Sequence, residues 1–139
     1  MADENHNVEM LKPAYRRWSE SKGGSVDEWM KVCADNIAFG SLAQGEAPKV
    51  AYMTTYSNRD ALKGYFDGLA RDWEMLDWVT GDFIAQGDRV VVLCRCTWRF
   101  KKTGKVVSTP KVDVWRMKNG QAVEFFEYYD TAQVHAAVV

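Results

Sequence analysis

The sequence predicts one α+β domain, cone-shaped, with N-terminal helices packed on a strongly curved antiparallel sheet that is mixed at most at one edge. The apolar residues change their spacing near residue 75, from the three- and four-residue period of helices to the alternation of strands. The strand segments run to about twelve residues, a length at which strands twist and coil a sheet into a trough. The chain has 139 residues, the size of one domain. We therefore predict a single domain over residues 1–139, with residues 1–6 disordered.

Two helices are expected before the first strand. The first should begin at Asn5 or Asn7, and its apolar stripe includes Tyr15 and Trp18. Residues 25–28, with the sequence Ser-Val-Asp-Glu, have the form of a capping box that starts a second, short helix. Residues 36–42 follow as a short strand.

A long loop separates this strand from a third helix. Residues 40–56 include Tyr52, Met53 and Tyr56, and loops of this length in compact domains are usually functional or mobile. The loop therefore suits a lid. Ser57 or Asn58 caps the third helix, whose stripe of Leu, Tyr, Phe and Trp is the clearest helical signal in the chain.

Four strand segments complete the domain, at residues 75–86, 89–100, 105–117 and 121–130. The first has a potential break at Gly81. The turn before the last segment carries an Asn-Gly pair, which is typical of tight hairpins.

Composition excludes several classes of function. With 18 basic and 19 acidic residues the net charge is −1, so the protein has no positive electrostatic field that would attract nucleic acid. The N-terminus has no apolar core of a signal peptide, and no apolar run approaches the ~20 residues of a membrane span. Three cysteines without a C-x-x-C pair favour buried thiols over a disulfide framework or a zinc site. We predict a cytoplasmic protein with no metal and no cofactor.

Three short segments carry a resemblance to a known family. They are residues 33–36 (Cys-Ala-Asp-Asn), residues 112–117 before the Asn-Gly turn, and residues 127–131 (Glu-Tyr-Tyr-Asp-Thr). Their order and spacing resemble the nuclear transport factor 2-like superfamily, above all its SnoaL-like polyketide cyclase and ketosteroid isomerase branch. The resemblance covers about residues 7–136. It implies a small, largely apolar organic ligand, a homodimer, and cofactor-independent isomerase, cyclase or lyase chemistry, although the superfamily also includes non-catalytic binders.

The resemblance also suggests site residues. Tyr15 and Asp113 match the tyrosine and the aspartate that form the oxyanion hole of ketosteroid isomerases. The position of their general base holds Ser41, which has no pKa suited to taking a proton near pH 7. Asp130 matches the water-activating aspartate of limonene-type epoxide hydrolases, whose two other triad positions are not matched in this chain.

The surroundings of Asp113 suggest a role independently of the family. Asp113 lies between two valines in the middle of a strand, next to Trp115. Burial disfavours the charged form of a carboxylate and raises its pKa. The protonated carboxyl group can then donate a hydrogen bond or transfer a proton. Tyr15 would assist it. The alternatives are that Asp113 faces solvent, or pairs with Arg95 or Arg99 across the sheet.

Strand alternation limits which carboxylates can share a pocket. Counting back from the last turn places Asp113 approximately opposite Phe125 on the neighbouring strand. Strict alternation then points the side chains of Asp113 and Asp130 to opposite faces of the sheet. A β-bulge near Tyr128 would bring both aspartates to one side. Otherwise Asp130 caps the C-terminal segment. The predicted inner face contains Asp113, Trp115, Phe125, Glu127 and Tyr129.

The candidate site follows from these arguments. Asp113 would act as acid or hydrogen-bond donor, Tyr15 would assist, and Asp130 would be a candidate base. The competing hypothesis is a non-catalytic ligand-binding or dimeric assembly module, with Arg95 and Arg99 on the outer face of the sheet. A cavity polar at one point would favour the enzyme. The predicted ligand-binding residues are Trp18, Phe39, Tyr56, Tyr65, Trp115 and Tyr128.

Overall fold

The computed structural model describes residues 3–41 and 57–139. Four helices and five strands follow one another along these residues. They are α1 (Glu4–Glu20), α2 (Val26–Val32), β1 (Cys33–Ser41), α3 (Arg59–Asp72), β2 (Trp73–Gln86), β3 (Arg89–Phe100), β4 (Val106–Lys118), β5 (Gln121–Tyr129) and α4 (Thr131–Val138). Tyr56 and most of the predicted 40–56 loop lie outside the described residues.

The five strands form one open sheet in the order β1-β5-β4-β3-β2. Strands β2 to β5 pair as antiparallel neighbours, while β1 pairs with β5 in parallel at the edge. The predicted fold class, including a sheet mixed at one edge, is confirmed. In the described residues no helix is both long and apolar enough to cross a lipid bilayer.

Irregularities in β2 bend the sheet. The register between β2 and β3 shifts twice, between Met75 and Asp77 and again between Thr80 and Phe83. Gly81 lies in the second shift, and a Cβ there would stand 2.9 Å from the carbonyl oxygen of a β3 residue. Glycine therefore allows the two strands to approach closely at the bend, as bulges and strand glycines commonly do.

The β4–β5 hairpin differs in register from the prediction by two residues. Asp113 lies opposite Glu127, whereas Phe125 was expected. One residue of the difference comes from the turn, where Lys118 pairs with Gln121, and the other from a bulge next to it. A shift of two residues preserves parity, so the predicted inner face is correct.

The N-terminal helix begins earlier than predicted. Asp3 caps it, because its carboxylate accepts a hydrogen bond of 2.9 Å from the backbone N–H of His6. The helix therefore starts at Glu4, and neither Asn5 nor Asn7 is its cap. The predicted disorder of residues 1–6 is wrong for residues 3–6, which this cap holds in the helix.

The predicted capping box of α2 does not form, because neither of its two side-chain-to-backbone hydrogen bonds is present and the Ser25 N–H donates to the Ser21 hydroxyl instead. Ser25 is the N-cap, but its hydroxyl makes no cap hydrogen bond and has no partner among the described residues. Glu28 pairs with Arg17 of α1 at 3.1 Å. The helix leads directly into β1, which begins at Cys33, earlier than the predicted start at Asn36.

Aromatic rings fill the space between the helices and the inner face of the sheet. Trp29 of α2 stacks on Trp115 of β4 at a centroid distance of 5.6 Å, and Tyr15 of α1 meets Trp29 edge-on at 5.0 Å. Phe39 of β1 stacks on Phe125 of β5 at 4.2 Å. Aromatic pairs at these distances add about 0.5–1.5 kcal/mol each beyond their buried area.

Candidate functional site

Three charged side chains lie together on the inner face of the β4–β5 hairpin. Lys111 Nζ is 2.9 Å from Asp113 Oδ1 and 3.5 Å from Glu127 Oε2. Lys111 and Asp113 are two residues apart on β4, and Glu127 lies opposite Asp113, so strand alternation points all three inward. The Lys111 side chain is 13% exposed and the carboxylates are almost fully enclosed. The ammonium also lies 5.0 Å from the ring centroid of Trp78, a cation–π contact.

A hydrogen-bond chain from two aromatic residues ends on Asp113. The indole Nε1 of Trp115 donates to the hydroxyl oxygen of Tyr15 at 2.8 Å, and that hydroxyl donates to Asp113 Oδ2 at 2.5 Å. An indole N–H can only donate, which suits a Tyr15 hydroxyl that accepts from it and sends its own proton to the carboxylate. Asp113 Oδ2 is thus an acceptor, rather than the donor that the sequence suggested.

Two further tyrosines lie around Glu127. The Tyr65 hydroxyl of α3 donates to Glu127 Oε1 at 3.0 Å. The hydroxyls of Tyr129 and Ser41 lie 2.7 Å apart, which joins the end of β5 to the end of β1. Ser41 occupies the position expected for a general base and serves here as a hydrogen-bond partner of a tyrosine.

Burial and neighbouring charge set the protonation of these groups. Burial lowers the pKa of Lys111, but Asp113 and Glu127 together outweigh it, so the pKa is raised and the amine stays an ammonium. Burial raises the pKa of Glu127, and the opposing effect of Lys111 does not cancel it. Burial, with the adjacent carboxylates, also raises the pKa of Tyr15 and Tyr65, which remain phenols.

Lys111 is one of four residues that line two neighbouring cavities. The main cavity has a volume of about 70 Å³, and Glu127, Thr109 and Lys111 are among its polar residues. The small cavity, of about 40 Å³, is bordered by Asp113 and Lys111. Aromatic side chains supply most of the remaining wall of the main cavity: Trp18, Tyr65, Trp73, Trp78, Trp98 and Tyr129.

Most of the predicted site residues come together here. Tyr15 and Asp113 are hydrogen-bonded to each other. The predicted ligand-binding residues at the cavities are Trp18 and Tyr65, which border both, and Phe39 and Trp115, which border the small one.

Two predicted site residues lie elsewhere. Asp130 is the N-cap of α4 and accepts from the backbone and the side chain of Gln133 at 3.0 and 2.8 Å. These bonds lower the pKa of the Asp130 carboxyl, which makes it a poor base. Tyr128 is 45% exposed and its ring packs on Phe126, because it has the opposite parity to Glu127.

Sequence reasoning missed Lys111 and undervalued Glu127. Both belong to the parity class of Asp113, so alternation alone could have found them. The proposed partners of Asp113 were also wrong, because the cation beside it is Lys111, while Arg99 pairs with Glu74. No group of three or more metal-ligating side chains occurs within residues 3–41 and 57–139.

Comparison with known families identifies the fold. The family model of the SnoaL-like domain matches residues 14–125, well over half of the chain. The chain belongs to the SnoaL-like family. The matched region contains Tyr15, Lys111 and Asp113, whereas Glu127 lies just beyond it. No curated protein sequence matches this SnoaL-like chain.

Solved structures agree on the SnoaL-like fold. An NTF2-like protein of unknown function from Burkholderia pseudomallei is 21% identical, with a TM-score of 0.82 over 96% of this chain and 98% of that one. A candidate SnoaL-like polyketide cyclase from Mesorhizobium loti is 21% identical, with a TM-score of 0.73 over 88% and 97%. A Catenulispora acidiphila protein with a ketosteroid isomerase-like fold, in complex with trimethylamine, is 13% identical, with a TM-score of 0.72 over 93% and 91%. At these identities the likeness concerns the fold alone.

Proposed function

We propose that this SnoaL-like protein is an enzyme for cofactor-independent proton transfer, acting as isomerase, cyclase or lyase on a small, largely apolar carbonyl or polyketide-like molecule. One observation carries the proposal: the ammonium of Lys111 and the Glu127 carboxyl, whose pKa is raised, lie side by side in the wall of an aromatic cavity. Both are groups that enolisation needs, one to stabilise an oxyanion and one to move a proton.

Each group has one role in the proposed step. Glu127 takes the proton from the carbon next to the substrate carbonyl, and the electrons of that C–H bond move to the carbonyl oxygen as an enolate. Lys111 donates a hydrogen bond to that oxygen and balances its charge. Glu127 then returns the proton to the substrate, so no outside reactant is needed.

The surrounding residues keep these two groups in place. Tyr65 donates to Glu127 and fixes the carboxylate, while Asp113 lies beside Lys111 and favours its ammonium form. Tyr15 acts through Asp113, so both are positioning residues in this mechanism. A raised pKa also argues against Lys111 as an amine nucleophile, since only the neutral amine attacks a carbonyl.

A non-catalytic binder is the alternative. A cavity that is apolar throughout would favour it, whereas the wall of this cavity includes the adjacent charged groups of Lys111 and Glu127 among mainly aromatic rings. The fold holds small molecules elsewhere, as in the Catenulispora acidiphila protein in complex with trimethylamine. These observations support the enzyme hypothesis more than the binder.

Hydrogen–deuterium exchange tests the proposal. We expect the protein to catalyse loss of the α-proton NMR signals of small ketones such as acetophenone in D₂O. Glu127→Gln should slow this exchange by about 10²–10⁴-fold, the usual contribution of a positioned base. The control Asp77→Asn changes an exposed carboxylate of β2 and should leave exchange unaltered. Exchange at the buffer rate for every ketone, or equal rates in Glu127→Gln, would refute the mechanism.

We also propose a homodimer formed through the outer face of the sheet. Exposed apolar residues gather there at parities opposite to the inner set, and such patches mark interaction surfaces. Leu93→Asp should yield monomers in light scattering if this face is the interface, and an unchanged mass would refute it. The exposed residues are Val79, Ile84, Leu93, Val106 and Tyr128.

A cytoplasmic location is part of the proposal. It is supported by the three cysteines, which are all buried free thiols as the sequence suggested, and free thiols persist in reducing compartments.

A further inference from the structure

The charges of the site do not balance. Lys111 contributes one positive charge, whereas Asp113 and Glu127 contribute two negative charges when both are ionised, as the proposed mechanism requires of Glu127. Lys111 is the most exposed of the three side chains at 13%, so solvent screens these charges little. In the part of the chain that the structure describes, no other charged residue lines either cavity. The site therefore has a surplus of one negative charge.

This surplus lies close to any ligand that binds Lys111. The Nζ atom is 2.9 Å from Asp113 Oδ1 and 3.5 Å from Glu127 Oε2. A ligand oxygen that accepts a hydrogen bond from Nζ at ~2.9 Å is therefore at most about 6 Å from the first carboxylate oxygen and about 6.5 Å from the second. Because Coulomb energy falls with the inverse of distance, the two repulsions on an anionic oxygen would reach about nine-tenths of its attraction to Lys111, even at these largest separations.

An anionic ligand would gain little in exchange for its hydration. A carboxylate that enters the main cavity must give up much of its water shell, and the attraction to Lys111 that should offset this loss is nearly cancelled. An uncharged carbonyl oxygen keeps a hydrogen bond to the ammonium and loses much less hydration. The ion group thus favours a neutral ligand over an anion of the same shape.

We propose that the site selects uncharged carbonyl compounds, such as ketones and esters, over carboxylates, and that the charges of Asp113 and Glu127 determine this selection. This inference rests on the proposed function, for which it narrows the substrate class. Both carboxylates act on the ligand through its bond to Lys111, so neither has to touch it.

The proposed reaction is consistent with this selection. When Glu127 takes the proton, its carboxylate becomes neutral and the negative charge moves to the enolate oxygen. The total charge of the site and its ligand stays the same in that step, so Lys111 can stabilise the enolate. A substrate with its own carboxylate would add a second surplus negative charge beside the same ammonium.

Acetophenone and benzoate are matched probes for this selection. They share the phenyl ring and one carbonyl oxygen, and benzoate has an anionic oxygen in place of the methyl group. We expect the wild-type protein to bind acetophenone at least about a hundredfold more tightly than benzoate at neutral pH, in calorimetric or NMR titrations. Affinities within about threefold of each other, tighter binding of benzoate, or no binding of acetophenone would overturn the inference.

Two variants that each remove one negative charge locate the effect. Glu127→Gln and Asp113→Asn should each raise the affinity for benzoate by about ten- to a hundredfold, and the affinity for acetophenone should change by less than about threefold. The control Asp77→Asn removes a negative charge that is exposed on β2 and should leave both affinities unaltered. A benzoate affinity that stays the same in both variants, or that rises as much in Asp77→Asn, would overturn the inference.

The test does not depend on one variant or on catalysis. If one of the two variants does not fold, the other provides the same comparison, and the wild-type pair of probes decides if neither folds. Charge selection can exist without α-proton exchange, in which case the mechanism alone fails. Exchange without charge selection would overturn only this inference.

Discussion

Replacement of Lys111 by methionine probes the central ion group most directly. Methionine keeps much of the length of the side chain but removes the charge, leaving two enclosed carboxylates on paired positions of β4 and β5. At an effective dielectric constant of ~20, contacts of 2.9 and 3.5 Å correspond to a gross attraction of about 6 and 5 kcal/mol. The desolvation of Lys111, which the variant avoids, offsets part of this. Loss of one partner from a buried ion pair typically costs about 3–5 kcal/mol, and we expect Lys111→Met to lose that much unfolding free energy.

The loss should depend on pH. Without the ammonium, the carboxyl pKa of Glu127 in the folded state should rise further above its unfolded value, because burial still raises it while the lowering effect of Lys111 is gone. A group with a raised folded pKa stabilises the protein below its unfolded pKa and loses that contribution as pH rises through the folded pKa. Lys111→Met should therefore regain stability on acidification. The double variant Lys111→Met with Glu127→Gln should recover much of the loss at neutral pH.

Urea unfolding at several pH values measures both effects. The matched control is Lys31→Met, which removes an ammonium that is 72% exposed and pairs with Glu28 at 3.7 Å. A surface pair of this kind contributes about 0–1 kcal/mol. The reasoning is refuted if Lys111→Met costs no more than this control, or if its deficit does not shrink at acidic pH.

Two other substitutions and one labelling experiment have defined outcomes. Tyr15→Phe removes the donor to Asp113 Oδ2 and should cost about 1–3 kcal/mol in urea unfolding, since it leaves a buried acceptor without its donor; a neutral effect would contradict the hydrogen bond. Asp130→Ala should cost about 0.5–2 kcal/mol through loss of the α4 cap, with unchanged α-proton exchange, whereas a loss of exchange would restore Asp130 as a base. Burial raises the pKa of Cys33 to about 12 and of Cys96 to about 11, so a thiol reagent should label them only slowly at neutral pH and fully in urea. Fast labelling of the folded protein would show that these thiols are accessible.

Periodicity in the sequence was enough for the fold and for half of the site. Alternation along β4 places Asp113 and Trp115 on one face whatever the register. The two one-residue errors at the hairpin cancel in parity, so Phe125 and Glu127 of β5 share that face as predicted. Tyr15 was found because its helical stripe faces the sheet, and the family resemblance named it as well. Tyr128 was predicted to bind ligand although strand alternation places it on the outer face of β5. In the structure it lies on that outer face.

The ion group was harder to predict. The partner of a buried carboxylate depends on three-dimensional distance, and the arginines considered for Asp113 lie on the outer face of β3, as their parity required. Lys111 attracts little notice in a sequence, since lysine is usually exposed. Its long side chain lets the ammonium reach Asp113, two residues further along the strand. The start of α1 escaped prediction for a simpler reason, because Asp3 and Asn5 are both good caps and local sequence does not choose between them.

The placement of the ion group on one hairpin has a consequence for folding. Lys111, Asp113 and Glu127 all belong to β4 and β5, so few intervening residues must be ordered before the three charges meet. Local contacts of this kind form early compared with the distant ones that bring in α1 and α3. The ion pairs can therefore form while the hairpin is still hydrated. The helices that carry Tyr15 and Tyr65 then dock and exclude water from ion pairs that have already formed. Such an order of assembly would avoid any intermediate with a lone buried charge.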